Sequence, residues 1–347
     1  MLRCLLSLTL LLSPRLGLAN EAQEAQEAQG TEVVSSETDS EPQTATQTLE
    51  LARLAIKQGR YFQARNLLIT LPEPWEPRSR EEANYLLAYT FEKNGESERA
   101  KLLYDAGLSR WPDGARRRDT LFRLAESSAA DGNCYHALRQ LKELSTETLT
   151  TRDQHKIAIN TGGCWLAQKR TSKGLRLIEQ TLEQMQPSEL VYYQAKAHAH
   201  LTQLLFEESR ALSFQVRQRR QLRRLTKRAR LIGQAERHVI TIVKLEEPEW
   251  IVRGLLTLGD AYEQTALALL AARPPRRLSD EQEALFHRAL QGQVETLLIK
   301  AIRHYERGLD VIMRLQWNTL AKAKLEQQLQ RARLRVETLG STPSNQP

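Results

Sequence analysis

The chain has 347 residues, of which 41% are hydrophobic, 27% charged and only 6% aromatic, and its formal net charge is +8. A chain of this length can bury a sizeable core, either as two domains or as one elongated array. It lacks alternating Val, Ile and Thr runs between turn clusters, and its long Leu, Ala, Arg, Gln and Glu stretches favour helices over sheets, so we predict an all-α fold.

Residues 1–19 have the three parts of a secretory signal peptide. Arg3 gives a basic start, an apolar run covers 5–12, and small residues allow cleavage near Ala19. The apolar run is too short to span a bilayer, which takes roughly 20 residues. We therefore expect export to the periplasm, and a mature protein that is not transmembrane. Cys4 precedes the apolar run, so it is not a lipidation site.

The segment 20–46 is acidic and is predicted to be a disordered linker. It carries seven carboxylates, no basic side chain and a threefold Glu-Ala-Gln tract. Residues 1–46 thus contribute two basic and seven acidic side chains, which leaves a formal net charge of +13 on the remainder. The part expected to fold is strongly basic.

A short string recurs three times around Gly59, Gly95 and Gly132, at separations of 36 and 37 residues. In each copy an alanine stands five residues after the glycine; these are Ala64, Ala100 and Ala137. Glycine can take the left-handed conformation that ends one helix, and alanine permits close packing of the next. A fourth unit keeps the register at Gly174, although Lys169 occupies its turn position.

This pattern resembles the tetratricopeptide repeat, a helix-turn-helix unit of about 34 residues. The second unit matches best, through Leu87, Ala88, Phe91, Gly95, Ala100, Tyr104, Gly107 and Pro112. The resemblance implies a helical-repeat solenoid with four units in residues 47–187.

The resemblance thins in residues 188–338, where we expect enlarged repeats and a capping helix. Residues 258–262 resemble the first helix of a unit and residues 301–308 the second, with about 30 inserted residues between them. Before them we predict a long helix over 188–245, broken near Ala211, and after them a last helix from Trp317. Residues 339–347 are predicted to be a disordered tail.

Two cysteines, Cys134 and Cys164, remain after signal removal. The repeat register places them on adjacent antiparallel helices, facing each other across a repeat boundary. In an oxidising compartment this arrangement predicts a disulfide. The alternative is a pair of small buried thiols.

No motif for catalysis or metal binding is legible. The seven histidines are scattered, and His198 and His200, the closest pair in sequence, point about 200° apart on a helix. The chain has no Gly-rich phosphate loop, no Gly-x-Ser-x-Gly elbow and no His-Glu-x-x-His motif. We therefore predict no metal, no cofactor and no enzymatic activity.

The resemblance also implies a concave groove, lined by the first helix of each unit, that holds an extended or helical peptide. Carried over position by position, the groove residues are Leu49, Arg53, Glu82, Tyr85, Tyr89, Glu92, Lys93, Asp119, Phe122 and Glu126. Tyr85 and Phe122 fit the core between repeats equally well. The version of the family that grips a terminal carboxylate needs Lys and Asn at positions that here include Leu49, Arg53 and Leu86, so that ligand is not expected.

An arginine-rich segment covers residues 210–230 and contains no acidic residue. The predicted anion-binding residues are Arg217, Arg219, Arg220, Arg223, Arg224, Lys227 and Arg228. Such a run repels itself, which indicates an external anionic partner, the chain's own acidic segment, or a solvated face without a ligand. Nucleic acid is disfavoured by the signal peptide and by the lack of interleaved aromatic residues.

These features predict a scaffold for envelope proteins or peptides, similar to exported repeat proteins that assist outer-membrane assembly, secretion or surface motility in Gram-negative bacteria. The alternative function is a binder of an anionic polysaccharide or lipid through the arginine-rich segment.

Overall fold

The computed structural model describes residues 45–70, 77–145, 148–186, 188–214, 218–272, 274, 278–315 and 320–341. They form thirteen helices: α1 (Ala45–Lys57), α2 (Tyr61–Ile69), α3 (Pro77–Lys93), α4 (Ser97–Arg110), α5 (Arg117–Ala130), α6 (Cys134–Leu144), α7 (Thr151–Ala167), α8 (Thr171–Gln184), α9 (Val191–Arg210), α10 (Gln218–Lys244), α11 (Pro248–Leu270), α12 (Asp280–Arg314) and α13 (Leu320–Ser341). The predicted signal peptide, nearly all of the predicted acidic linker and residues 342–347 lie outside this description.

Consecutive helices pack as six hairpins, α1/α2 to α11/α12, and α13 packs on the last of them. The first helices of successive hairpins also contact each other; examples are the pairs α1 and α3, α5 and α7, and α9 and α11. The predicted all-α, tetratricopeptide-like repeat fold is therefore confirmed. Among the described residues, no helix combines the length and apolar character needed to cross a membrane.

The first four turns share one backbone geometry. Gly59, Gly95 and Gly132 have φ angles of 73°, 83° and 81°. Lys169 adopts the same conformation, with φ of 62°. In each turn the next residue donates its N–H to a carbonyl five positions earlier, which is the hydrogen bond that closes a Schellman motif. The fourth turn thus keeps the backbone geometry of the other three although Lys169 replaces the glycine.

Small residues on the second helices allow close approach. Ala64 and Ala137 have no exposed surface, and Ala100 is 2% exposed. Gly174 takes this place in the fourth hairpin, where a Cβ atom would stand 2.8 Å from both the Gly162 carbonyl oxygen and the Leu166 side chain. The fourth hairpin therefore packs even more closely than an alanine would allow.

The C-terminal half continues the hairpin pattern with longer helices. The predicted long helix over 188–245 is two helices, α9 and α10, folded into a fifth hairpin at the anticipated break. In the sixth hairpin, a Cβ atom on Gly259 would overlap the Tyr305 ring. Glu263 is fully buried, and Arg331 and Arg335 of α13 both pair with it. These ion pairs fix α13 as the cap of the array.

Candidate functional site

A cavity of about 490 Å³ opens on the concave side of the solenoid. It is bounded by first helices from five hairpins, which contribute Glu92 and Lys93 of α3, Glu126 of α5, Asn160 of α7, Lys196 and His200 of α9, and Glu249 and Trp250 of α11. The superhelical arrangement brings these side chains together although they span more than 150 positions of the sequence.

The charged side chains of the cavity wall are paired with one another. Lys196 Nζ lies 2.7 Å from Glu126 Oε1, and Lys93 Nζ lies 3.3 Å from Glu249 Oε2. Arg123 of α5 lies 3.5 Å from both Glu92 and Glu126. Within the described residues the wall is therefore close to electrically neutral, and a ligand meets ion pairs rather than free charges.

The pKa values of these groups follow from burial and pairing. Burial alone would raise the pKa of Glu126, but Lys196 and Arg123 lower it to about 2. Burial would also raise the pKa of Glu249, but the nearby Lys93 and Arg253 outweigh this effect and lower that pKa below its ordinary value. Glu92 differs, because burial outweighs its cationic neighbours and raises its pKa.

Aromatic side chains surround the ion pairs. Tyr104 donates a hydrogen bond of 3.0 Å to Glu92, and Tyr192 donates one of 3.4 Å to Glu249. The Arg123 guanidinium lies 4.7 Å from the centre of the Tyr89 ring. Rings stacked on cations supply contact area while holding the charged groups in place.

Two buried polar groups of the cavity have no hydrogen-bond partner among the described residues. Both amide atoms of Asn160 and Nε1 of Trp250 are buried without a hydrogen bond. His200, beside Trp250, is held neutral because burial, Lys196 and Arg253 lower its pKa to about 3. Its ring fits because Gly163 has no side chain there. Asn160 and Trp250 together offer two kinds of donor and one acceptor to a ligand.

Of the ten groove residues predicted from the sequence, the structure brings Tyr89, Glu92, Lys93 and Glu126 to this cavity region. Arg53 pairs with Glu82. Tyr85 contacts Arg116 and also neighbours Arg123 of the ion-pair cluster. Asp119 pairs with Arg116 as well.

Phe122 does not belong to the groove surface. It is only 3% exposed and belongs to a core cluster of α5 and α6 against which Leu108 of α4 and Ile157 of α7 also pack, so it lies in the core between repeats. The prediction that Phe122 contacts a partner is therefore wrong, and the alternative weighed for it, inter-repeat core, describes it. Leu49, also carried over as a groove position, is likewise a core residue at 5% exposure.

Sequence reasoning missed half of the cavity. Asn160 could have been found by extending the repeat register into the fourth unit. Lys196, Glu249 and Trp250 could not, because the register fades after residue 187 and the helix-pair period changes. Arg123 was not predicted, because the repeat resemblance gives the groove positions but not the side chains that form ion pairs with them.

Cys134 and Cys164 are buried thiols in contact across the α6/α7 boundary. Burial and a hydrogen bond with Cys134 raise the pKa of Cys164 to about 12. Both line the cavity. The predicted disulfide stays a prediction, since the structure holds the two side chains as neighbouring thiols.

The arginine-rich segment divides into two groups. Arg217 and the side chain of Arg219 lie outside the description, whereas Arg220, Arg223 and Lys227 are exposed on α10. Arg228, predicted to be part of the anion-binding surface, is 2% exposed, so that prediction is wrong. Its Nε donates to the Ser209 carbonyl at 2.9 Å, because its position faces the helix interface rather than solvent.

Arg224 is half-buried and donates a hydrogen bond of 2.6 Å to the Ser213 carbonyl oxygen, so it too stabilises the fold.

Elsewhere on α9 and α10, Nδ1 of His198 lies 2.9 Å from Nδ1 of His238, a pairing that the sequence did not reveal. Across the described helices, no three His, Cys, Asp or Glu side chains are grouped to hold a metal ion.

No family model and no curated protein matches the chain. Among solved structures, the P58(IPK) TPR domain aligns at 14% identity over 86% of this chain and 80% of its own, with a TM-score of 0.22. A circular tandem repeat protein with novel repeat topology aligns at 15% identity over 85% of this chain and 64% of its own, also with a TM-score of 0.22. At these values neither alignment bears on what the chain binds.

Proposed function

We propose that the chain is a non-enzymatic protein-binding scaffold whose concave cavity receives a segment of a partner protein. The observation that carries this proposal is the pair of unpartnered buried groups, Asn160 and Trp250, in a cavity open to the concave face. A buried polar group without a partner is unfavourable by about 1–3 kcal/mol, which a ligand that hydrogen-bonds to it recovers.

The cavity chemistry favours a neutral segment that carries amide groups. The cationic and anionic side chains of the wall already neutralise each other, so a charged ligand would have to break buried pairs. Asn160 can donate to a carbonyl oxygen and accept from an amide N–H at once. A peptide backbone or an Asn or Gln side chain of the partner meets these requirements.

Site-specific photo-crosslinking in intact cells tests this function. A photoreactive residue at Gln203, exposed at the cavity, should capture a discrete protein partner. The same residue at Tyr135, which is 80% exposed on α6, is the matched control and should not. Asn160→Leu should remove the Gln203 adduct without lowering the melting temperature. Identical adducts at both positions would contradict the proposal.

We further propose that the scaffold works in a bacterial envelope, in assembly, secretion or surface motility. The support is the signal-like start of the sequence, with its basic, apolar and small-residue parts in order. Mass spectrometry of the periplasmic fraction should find a mature chain that begins near Asn20. Chains that mostly retain Met1 would count against export.

A Cys134–Cys164 disulfide is proposed for the exported protein. The contact between the two thiols supports it, and each would lose one electron and one proton to the compartment's disulfide-bond oxidant. A loop of about 30 residues closed in this way is stabilised by roughly 3–4 kcal/mol. Non-reducing peptide mapping should link the two peptides, and two alkylatable thiols in periplasmic material would disprove the bond.

A second candidate function is the binding of an anionic envelope component through α10. The specific support is that Arg220, Arg223 and Lys227 are exposed and form no ion pair with any carboxylate among the described residues. This surface is separate from the cavity, so a single chain can use both.

A further inference from the structure

The exposed basic residues of α10 form one band along the helix that extends beyond the arginine-rich segment. Arg220, Arg223, Lys227, Arg230, Arg237 and Lys244 are all exposed. Their spacing, with Gln234 and Thr241 between the last members, alternates between three and four residues, so they share one face of the helix. At 1.5 Å per residue this basic stripe is about 36 Å long.

Within the part of the chain that the structure describes, no carboxylate neutralises the basic stripe. Glu236 is the single acidic residue of α10, and it accepts a hydrogen bond from Tyr262 of α11. Among the described residues, none of the six basic side chains forms an ion pair. Like charges at positions i and i+3 or i+4 destabilise a helix by about 0.2–0.5 kcal/mol per pair, and an anionic ligand would relieve that repulsion.

The N-terminal half of the stripe is held rigidly on the body of the protein. Arg228 and Arg224 point the other way and donate to the Ser209 and Ser213 carbonyl oxygens at the end of the fifth hairpin's first helix. Gln221 donates 3.0 Å to the Phe214 carbonyl oxygen. The stripe is therefore a preformed surface, and little ordering is needed when a ligand binds.

The composition of α10 selects among anionic partners. Membrane-binding helices insert an apolar face into the lipid interface, but here the apolar face is occupied by Ile232, Ala235, Val239 and Ile242 in the protein core. Single-stranded nucleic acids need aromatic platforms for base stacking, and α10 has no Phe, Tyr or Trp. A narrow band of cations on a helix fits a linear polymer that carries one anionic group on each of its monomers.

We infer that the basic stripe binds a linear anionic polysaccharide lying along α10. This inference rests on the second proposed function and names its ligand class, and it is independent of the concave cavity.

Equilibrium binding of a heparin oligosaccharide, used as a linear sulfated probe, to the full chain tests the inference. The stripe variant carries Arg220→Gln, Arg223→Gln, Lys227→Gln and Arg230→Gln. The matched control carries Lys142→Gln, Arg170→Gln, Lys173→Gln and Arg176→Gln, four exposed basic residues elsewhere. The stripe variant should lose at least tenfold in affinity and the control less than twofold. The dependence of affinity on salt should become shallower by about one unit for each cation that no longer meets a sulfate group.

Several outcomes would overturn the inference. Equal losses in both variants would show a diffuse effect of net charge. Tighter binding to a single-stranded DNA of matched charge, or to vesicles containing phosphatidylglycerol, would assign the stripe to another class of partner. Binding that appears only after deletion of residues 21–41 would make the chain's own acidic segment the occupant. Circular dichroism melting of each variant shows whether it is folded, and partner capture at Gln203 reports on the cavity separately.

Discussion

At the turns of the first four hairpins, one residue in the left-handed conformation ends the first helix and sets the direction of the second. At Gly59, Gly95 and Gly132 an added Cβ atom would meet no other atom within 4 Å, so only the backbone conformation requires glycine there. The turn glycines were legible in the sequence for that reason. Lys169 was assigned to a turn only through the repeat register, because a non-glycine residue in this conformation carries no signature of its own.

The same substitution should have opposite effects at two uncrowded glycines. Gly132→Ala should lower the free energy of unfolding by about 1–2 kcal/mol, because the left-handed conformation disfavours a Cβ atom. Gly292→Ala, in the exposed middle of α12, should raise it by about 0.5–1 kcal/mol. Urea denaturation measures both, and a loss at Gly292 as large as that at Gly132 would refute the conformational explanation.

The pair of Glu126 and Lys196 is a second residue-scale feature, because both side chains are less than 10% exposed. Glu126→Gln alone should destabilise the protein by about 3–5 kcal/mol, since it leaves the buried Lys196 ammonium without its partner. Lys196→Met alone should destabilise it less, since Glu126 keeps Arg123 at 3.5 Å. The double variant should be less destabilised than the sum of the two. Additive losses in a double-mutant cycle would show that the pair is not coupled.

Acid should weaken the protein through the same pair. The pKa of Glu126 is lowered to about 2 in the folded state, so its contribution to stability is present above its ordinary pKa and is lost as the pH falls towards 2. Glu92, whose pKa is raised chiefly by burial, acts in the opposite direction, but it is present in both the wild type and the double variant of Glu126 and Lys196. Between about pH 5 and pH 2 the wild type should lose more stability than the double variant. Parallel curves in chemical denaturation would argue against this assignment.

At the scale of elements, α9 and α10 show where sequence reasoning ended. Helical periodicity was evident over residues 188–245, and a break near Ala211 was anticipated. Periodicity does not say that two helical stretches fold back on each other, since that depends on their contact partners. For the same reason the arginines could not be sorted by sequence into those that face solvent and those that pin the hairpin.

Two pairs of arginine substitutions on α10 should separate these roles. Arg224→Gln with Arg228→Gln removes side chains that donate to the Ser213 and Ser209 carbonyl oxygens, and should lower the free energy of unfolding by about 1–3 kcal/mol. Arg220→Gln with Arg223→Gln makes the same change in charge on the solvent face, so stability should hold or rise slightly. Equal melting temperatures for the two pairs would mean that Arg224 and Arg228 do not hold the hairpin.

For the whole molecule, the decisive contacts join repeats that are distant along the chain. Lys93 and Glu249 are 156 residues apart, and Glu126 and Lys196 are 70 apart. The sequence predicted the hairpins, the turns and four of the groove residues, because those depend on local pattern and on the repeat register. It did not predict the second wall of the cavity, because the curvature of a solenoid accumulates from small rotations at each repeat.

The cross-solenoid pair should control how far the array opens. The Lys93 and Glu249 side chains are 14% and 22% exposed, and they link α3 to the start of α11. Lys93→Glu would set two carboxylates against each other and should increase the radius of gyration measured by small-angle X-ray scattering. Adding Glu249→Lys restores a pair of opposite charges and should return the radius towards that of the wild type. As the control, Lys101→Glu breaks a pair with Glu98 inside α4 and a pair with Asp131 at the end of the neighbouring α5, and should leave the radius unchanged. If Lys93→Glu leaves the radius as it was, the closure of the solenoid depends on helix packing alone, and the ion pair serves only to line the cavity.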